Sequence, residues 1–138
     1  MPSETLALIV EDNPALLSVF MRTAERAGFA TLAAESPEEA VRLCDQHGSE
    51  IALVISDVFL SGSTGMEIAA TAILANPGVK VLLTSGSSME FWRESDLRKL
   101  SVLPEGSVVF LPKPFCCNAM IACVHRLISR QTDISATA

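Results

Sequence analysis

The sequence predicts a doubly wound α/β domain, in which a five-stranded parallel sheet carries helices on both faces. Three observations favour this fold. Short apolar runs alternate with amphipathic helical segments, each run is apolar throughout rather than at every second residue, and no linker-like stretch interrupts the order. Strands that are apolar on both sides are typical of a buried parallel sheet. Right-handed crossovers between such strands place helices on both faces.

The composition agrees with one compact domain. A chain of 138 residues that is 49% hydrophobic and 19% charged can bury a core and is neither disordered nor a disulfide scaffold. Its net charge of -6 argues against general attraction to nucleic acid or anionic lipid. No apolar run approaches the roughly 18 residues of a membrane span, and the first five residues do not begin a signal peptide. We therefore expect a cytoplasmic protein without nucleic-acid or membrane partners.

The first strand and the first helix have clear boundaries. Leu6–Val10 is an apolar run that stops at an acidic pair, as expected of a buried strand. Pro14–Ala27 has apolar residues at helical spacing. Asn13 precedes this segment as a candidate N-cap, and Gly28 follows it as a candidate terminator.

The next elements repeat the alternation. Phe29–Ala34 is predicted as the second strand. Residues 36–39 (SPEE) have the pattern of a capping box and open a helix that runs through Gln46 and closes at Gly48. Ile51–Ser56 is predicted as the third strand. These boundaries complete the first half of the sheet.

The second half contains the remaining helices and strands. After a loop at Phe59–Gly65, the sequence predicts a helix at Met66–Leu74, a turn at residues 76–78 (NPG), strands at Val79–Thr84 and Val108–Leu111, and a helix at Asn118–Arg130. Residues 87–105, which include Phe91 and Trp92, have an imperfect helical pattern, with both aromatics either in the core or on a docking face. The domain is expected to span residues 1–130, with residues 131–138 as a flexible tail.

Polar side chains gather just after four of the predicted strands. Because the carboxyl ends of parallel strands meet at one edge of a doubly wound sheet, these side chains should lie close together. Clustered carboxylates repel one another unless a cation neutralises them, and oxygen ligands suit Mg²⁺. A lysine adds a point charge for an anion. The set predicts a magnesium-assisted phosphoryl site with a carboxylate nucleophile, and it comprises Glu11, Asp12, Asp57, Ser85 and Lys113.

At these residues the chain resembles the receiver domain of two-component response regulators. The resemblance rests on residues 8–13 (LIVEDN), 56–60 (SDVFL), 83–86 (LTSG) and 113–115 (KPF), and it spans nearly the whole chain. The motif style is most similar to receivers of hybrid histidine kinases. The resemblance to receiver domains implies a flavodoxin-like fold with strand order 2-1-3-4-5.

The resemblance implies a role for each site residue. Asp57 would be the phosphoacceptor, and Asp12, Asp57 and the backbone carbonyl of Phe59 would bind Mg²⁺, with Glu11 helping through water. Ser85 and Lys113 would contact the phosphoryl group. Phe110 would be the switch aromatic that rotates toward the space vacated by Ser85.

The resemblance also implies partners. The phosphoryl donor would be a histidine kinase or a histidine phosphotransfer protein, and output would be a surface change read by a protein that the sequence does not identify. Two questions stay open at this point. Two copies could pair through the fourth helix, the fifth strand and the last helix, and the chain could be either a stand-alone protein or a receiver domain of a longer hybrid kinase. We expect a signalling domain that catalyses only its own phosphorylation and dephosphorylation.

Two other functions compete with this interpretation. A metal-dependent phosphatase would need a second Asp two residues after the nucleophile, where Phe59 stands. An inactive interaction module would retain the fold without phosphorylation, and retention of all five site residues argues against it. The cysteines show neither a CxxC pair nor zinc-ligand spacing, so they are predicted to be core-filling thiols, and they are Cys44, Cys116, Cys117 and Cys123.

Overall fold

Five parallel strands form a single sheet in the computed structural model, which describes residues 5–60, 63–85, 98, 101, 103–104, 106–113 and 116–137. The strands in chain order are β1 Thr5–Val10, β2 Phe29–Ala34, β3 Ile51–Asp57, β4 Lys80–Ser85 and β5 Val108–Pro112. Their order across the sheet is β2-β1-β3-β4-β5, and every neighbouring pair is parallel. The predicted doubly wound, flavodoxin-like architecture is confirmed.

Helices cover both faces of this sheet and divide the core into two layers. They are α1 Pro14–Arg26, α2 Pro37–His47, α3 Gly65–Ala75 and α4 Cys117–Thr137, with a 3-10 turn at Gly48–Glu50 after α2. One layer packs α2 and α3 against the sheet, and the other packs α1 and α4. None of the helices that the structure describes is long and apolar enough to cross a bilayer.

The helix starts follow the capping chemistry predicted from the sequence. Asn13 Oδ1 accepts hydrogen bonds from the backbone N–H groups of Ala15 and Leu16, at 3.0 and 3.2 Å. At the start of α2, Ser36 Oγ accepts from Glu39 N–H at 3.2 Å. These contacts satisfy N–H groups that have no partner within the helix, so each helix begins at a defined residue.

Helix α3 approaches the end of β3 more closely than a side chain would allow. A Cβ added to Gly65 would overlap the backbone oxygen of Asp57 and lie 3.1 Å from both Leu83 Cδ2 and Ser56 Oγ. Gly65 N–H also donates a 2.7 Å hydrogen bond to the Val58 oxygen. Glycine is therefore required here by close packing of backbone on backbone.

The other end of α3 is tied to the beginning of β3 by one side chain. Asn76 Nδ2 donates to the Ile51 oxygen at 2.9 Å and to the Ser49 oxygen at 3.3 Å. Its Oδ1 accepts from Gly78 N–H at 3.1 Å, which holds the turn predicted at residues 76–78. Helix α3 is thus fixed against β3 at both of its ends.

The structure differs from the sequence prediction in two described segments. Helix α4 runs to Thr137, beyond the predicted end at Arg130. Residues 131–137 contain neither Gly nor Pro, and extending an existing helix adds one hydrogen bond per residue fixed. The predicted loop at 59–65 contains a two-residue antiparallel pair, Phe59–Leu60 with Ser63–Thr64.

Several predictions lie outside the described residues. Most of the segment 87–105 is among them, including Phe91 and Trp92, and only Arg98 and Ser101 there are described as helical. Pairing of two copies through a fourth helix in this segment therefore stays a prediction. The domain boundary at residue 130 also stays a prediction.

We predict that Gly65→Ala destabilises the fold by about 1–3 kcal/mol, because overpacked contacts force the backbone to shift. Urea unfolding measures this change. Thr71→Ala on the same helix is the control, since Thr71 Oγ1 bonds only to the Glu67 oxygen one turn earlier and such substitutions usually change stability by about 0.5 kcal/mol or less. Equal stability of Gly65→Ala and the wild type would contradict the close approach.

Candidate functional site

Three charged side chains meet at the carboxyl edge of the sheet, although they lie far apart in the sequence. Glu11 follows β1, Asp57 ends β3 and Lys113 follows β5. Glu11 N–H extends the ladder by donating to the Ala34 oxygen at 3.1 Å. Because parallel strands end together at this edge, the fold brings the three groups into contact.

Lys113 bridges the two carboxylates. Its Nζ lies 2.9 Å from Asp57 Oδ2, a hydrogen-bonded ion pair, and 3.6 Å from Glu11 Oε1. Burial alone would lower the pKa of Lys113, but the hydrogen bond and charge of Asp57, together with the Glu11 carboxylate, outweigh it and raise that pKa. The lysine is therefore held as a cation against the proposed acceptor.

Glu11 is the most deeply buried charged group at the site, with only 2% of its surface exposed. Its Oε2 accepts a 3.1 Å hydrogen bond from Asn13 N–H, while its Oε1 is buried without a hydrogen-bond partner. Burial raises the pKa of Glu11, and Asn13 N–H and the Lys113 charge only partly offset this, with Asp12 and Asp57 raising it further. One oxygen of this carboxylate is thus hydrogen-bonded, while the other has only the more distant Lys113 ammonium beside it.

The remaining predicted site residues lie at or near the same edge of the sheet or within its last strand. Asp12 lies beside Glu11 and is exposed. Ser85 is the last residue of β4, with its Cα opposite Pro112, and Phe59 opens the short antiparallel pair. Phe110 pairs with Leu83 in the sheet and packs, partly buried, against the core layer of α2 and α3. The side chains of Ser85 and Phe59 lie outside what the structure describes.

The oxygen donors at the carboxyl edge fit a Mg²⁺ ion that keeps several of its water ligands. Among the described residues, no three His, Cys, Asp or Glu side chains are grouped to hold a metal ion. Mg²⁺ commonly takes one or two carboxylates and keeps several waters. Glu11 Oε1, which has no hydrogen-bond partner among the described residues, is a hard oxygen acceptor that a cation or its water shell would satisfy. Asp12, Asp57 and the Phe59 carbonyl are the groups available as direct ligands.

The prediction that all cysteines fill the core is wrong for two of them. Cys44 and Cys123 are buried, but Cys116 is exposed and Cys117 is half-buried. Cys117 contributes with Lys113 to a cavity of about 280 Å³ between α1 and α4. The reason is positional, because Cys116 precedes α4 and Cys117 is its first residue, while the first fully buried residue of this helix is Met120.

Thr84 has one feature that the sequence does not reveal. This residue is fully buried and its Oγ1 has no hydrogen-bond partner among the described residues. An unpaired buried hydroxyl costs about 1–3 kcal/mol. The sequence could not predict this feature, because whether a threonine in an apolar strand finds a hydrogen-bond partner depends on the folded structure.

The chain is similar to proteins of known families. The family described as the response regulator receiver domain matches residues 7–125. The sensor kinase CckA of Brucella abortus is 26% identical over 124 residues, which is 90% of this chain and 12% of that protein. The chain therefore corresponds to a small part of that kinase.

Two solved structures resemble the whole fold. A response regulator receiver protein from Sinorhizobium medicae is 25% identical, with a TM-score of 0.76, and the match covers 92% of this chain and 96% of that one. The receiver domain of the hybrid histidine kinase CckA is 27% identical, with a TM-score of 0.70 and coverage of 88% and 97%. The family match over residues 7–125, with which these structures agree, establishes that the chain belongs to the response regulator receiver domain family of two-component signalling.

Proposed function

We propose that this chain accepts a phosphoryl group on Asp57 from a histidine kinase or a histidine phosphotransfer protein, with Mg²⁺ as cofactor, and signals through a change of its surface. The observation that carries the proposal is the 2.9 Å contact between Lys113 Nζ and Asp57 Oδ2 at the carboxyl edge of the sheet. A carboxylate held beside a fixed cation can attack phosphorus while the cation stabilises charge on the transferring group. The protein would act in the cytoplasm.

The local environment of Asp57 supports its role as the nucleophile. Its side chain is 16% exposed, so a phosphodonor can reach it from one side while the sheet fixes the other. Val58 N–H donates to the Thr84 oxygen at 2.8 Å, and Ser56 Oγ donates to the Asp57 backbone oxygen at 2.9 Å. These bonds hold the main chain around the nucleophile, which favours a defined angle of attack.

Mg²⁺ would supply positive charge that draws phosphoryl oxygens toward Asp57. Asp12 and Asp57, with the Phe59 carbonyl, would hold the ion directly, and Glu11 would accept hydrogen bonds from its water. Lys113 would redirect an N–H group from the Asp57 carboxylate to the incoming phosphoryl oxygens. The carboxylate and the phosphoryl group are both anionic, and both would lie on the side of the site that the ammonium occupies.

Signal output would begin at the ends of β4 and β5. Ser85, the last residue of β4, would donate its hydroxyl to the phosphoryl group, and Phe110 would follow as the switch aromatic. Phe110 already packs against the layer of α2 and α3, so its rotation would change how this side of the sheet meets its surroundings. The chain would catalyse only its own phosphorylation and dephosphorylation.

We predict that intact-mass analysis after incubation with acetyl phosphate and Mg²⁺ detects the addition of one phosphoryl group. Asp57→Asn should abolish the addition, because an amide oxygen is a poor nucleophile. Asp45→Asn is the matched control, since Asp45 is an exposed carboxylate on α2 and its loss should leave the addition unchanged. Equal labelling of Asp57→Asn and the wild type would contradict the assignment of the acceptor.

We predict that Mg²⁺ raises the thermal unfolding midpoint at constant ionic strength. A free ion concentration of about ten times the dissociation constant stabilises the folded state by about 1.4 kcal/mol. Asp12→Asn should remove most of this shift, and Asp45→Asn should preserve it. An equal Mg²⁺ response in all three proteins would mean that the ion binds elsewhere.

We further predict that the Mg²⁺ shift is smaller at pH 5 than at pH 7.5. Burial raises the pKa of Glu11 above its usual range, so protons compete for this carboxylate at a higher pH than for an ordinary glutamate. Unfolding midpoints measured with and without Mg²⁺ at both pH values test this. Glu11→Gln should reduce the difference between the two pH values, and a larger Mg²⁺ shift at pH 5 in the wild type would argue against the prediction.

A further inference from the structure

A row of neighbouring positions crosses the sheet at the level of the acceptor. In the β3–β4 pair the Cα of Asp57 lies opposite that of Thr84, and in the β4–β5 pair Thr84 lies opposite Leu111. Residues opposite one another in a parallel sheet point to the same face. Thr84 is therefore the immediate neighbour of Asp57 on the face covered by α1 and α4.

The next positions in the register place the charged groups in the same row. Val10 lies opposite Ser56, so Glu11 continues β1 alongside Asp57. Lys113 lies two residues after Leu111 and so belongs to the same face. The hydroxyl of Thr84 thus shares one side of the sheet with the acceptor carboxylate and its cation.

Thr84 differs from the other buried hydroxyl-bearing residues of the described chain. Thr23 Oγ1 donates to the Val19 oxygen at 2.8 Å, and Ser56 Oγ donates to the Asp57 backbone oxygen at 2.9 Å. Thr84 is 0% exposed, and its Oγ1 has no hydrogen-bond partner among the described residues. Among the described residues, the only other buried side-chain oxygen without a hydrogen-bond partner is Glu11 Oε1, which lies in the same row.

A purely structural role does not explain a hydroxyl at this position. Valine has nearly the same shape as threonine and would fill an apolar site without leaving a polar atom unpaired. A hydroxyl without a partner in one state of a protein is explained if another state supplies the partner. The group beside Thr84 whose chemistry changes on phosphorylation is the Asp57 carboxylate.

We propose that Thr84 is a positioning residue for phosphoryl transfer, whose hydroxyl donates a hydrogen bond to the Asp57 carboxyl oxygen that does not bond to phosphorus. This inference rests on the proposed function. In the transfer, one carboxyl oxygen forms the bond to phosphorus, the donor's leaving group departs with the electrons of its own bond to phosphorus, and the second carboxyl oxygen remains as a carbonyl acceptor. As the donor approaches, Lys113 turns toward the phosphoryl oxygens, and in the transition state Thr84 replaces it as a donor to Asp57.

The hydroxyl would act by limiting rotation of the carboxyl group. An aspartate side chain has a broad, roughly two-fold preference about its last torsion, so a second donor on the sheet side favours one orientation. The attacking oxygen then faces the open edge, where the phosphodonor arrives. The loss of such a contact should lower the rate of phosphorylation and leave folding intact.

The test compares Thr84→Val with the wild type in a time course of phosphorylation by acetyl phosphate and Mg²⁺, followed by intact mass. We expect Thr84→Val to react about tenfold more slowly, the effect of about one hydrogen bond in the transition state. Its thermal unfolding midpoint should be equal to or above that of the wild type, because an unpaired buried hydroxyl has been removed. Opposite changes in rate and stability are not expected of a residue that only packs.

Further variants isolate the hydroxyl. Thr84→Ser and Thr84→Ala both lack the methyl group and differ only in the hydroxyl, so Ser should react at least several-fold faster than Ala, even if Val fails to fold. Thr23→Val is the matched control, since it removes a buried hydroxyl whose partner is within α1, and it should leave the rate unchanged.

The outcomes separate the inference from the proposed function. Phosphorylation of Thr84→Val at the wild-type rate, or equal rates for the Ser and Ala variants, would overturn the role of Thr84 while leaving Asp57 as the acceptor. A folded wild type that gains no phosphoryl group from acetyl phosphate or from a purified histidine kinase would overturn both.

Discussion

The ion pair between Lys113 and Asp57 is the contact around which the site is organised. It joins residues 56 positions apart in the chain, and it forms only when β3 and β5 end at the same edge with β4 between them. Without the ammonium, the Asp57 and Glu11 carboxylates would face one another in a partly buried setting, where like charges repel strongly. The fold and the charge arrangement therefore depend on each other.

The two layers of the core explain how charged groups can be held at the edge of an apolar sheet. Residues along β3 alternate between the layers, with Val54 packing toward α2 and α3, and Leu53 and Ile55 packing toward α1 and α4. The strands are mainly apolar along their buried length, and the charged groups of the site come at or just after their carboxyl ends, at Glu11, Asp57 and Lys113. A rigid, well-packed interior then keeps these groups in position.

Much of this organisation could be predicted from the sequence, because it depends on periodicity and strand ends. The helix starts at Asn13 and Ser36 follow from local signals. The meeting of Glu11 with Asp57 and Lys113 follows from their places at the strand ends of a doubly wound sheet, and the strand order follows from the family resemblance of the motifs. Features that depend on packing could not be predicted. Predicting the close approach of Gly65 requires knowing where α3 meets β3, and predicting the exposure of Cys116 requires knowing how α4 begins. The Thr84 hydroxyl stands out only because the described residues around it offer no hydrogen-bond partner.

The anchoring of α3 has a mechanical consequence for the acceptor. Its first residue touches the main chain of Asp57 without an intervening side chain, and Asn76 holds its far end to the start of β3. A packed helix that is fixed at both ends yields little, so it acts as a stiff support behind the carboxylate. Displacement of the Asp57 main chain toward α3 is therefore opposed by backbone packed on backbone, with no side chain between them that could repack.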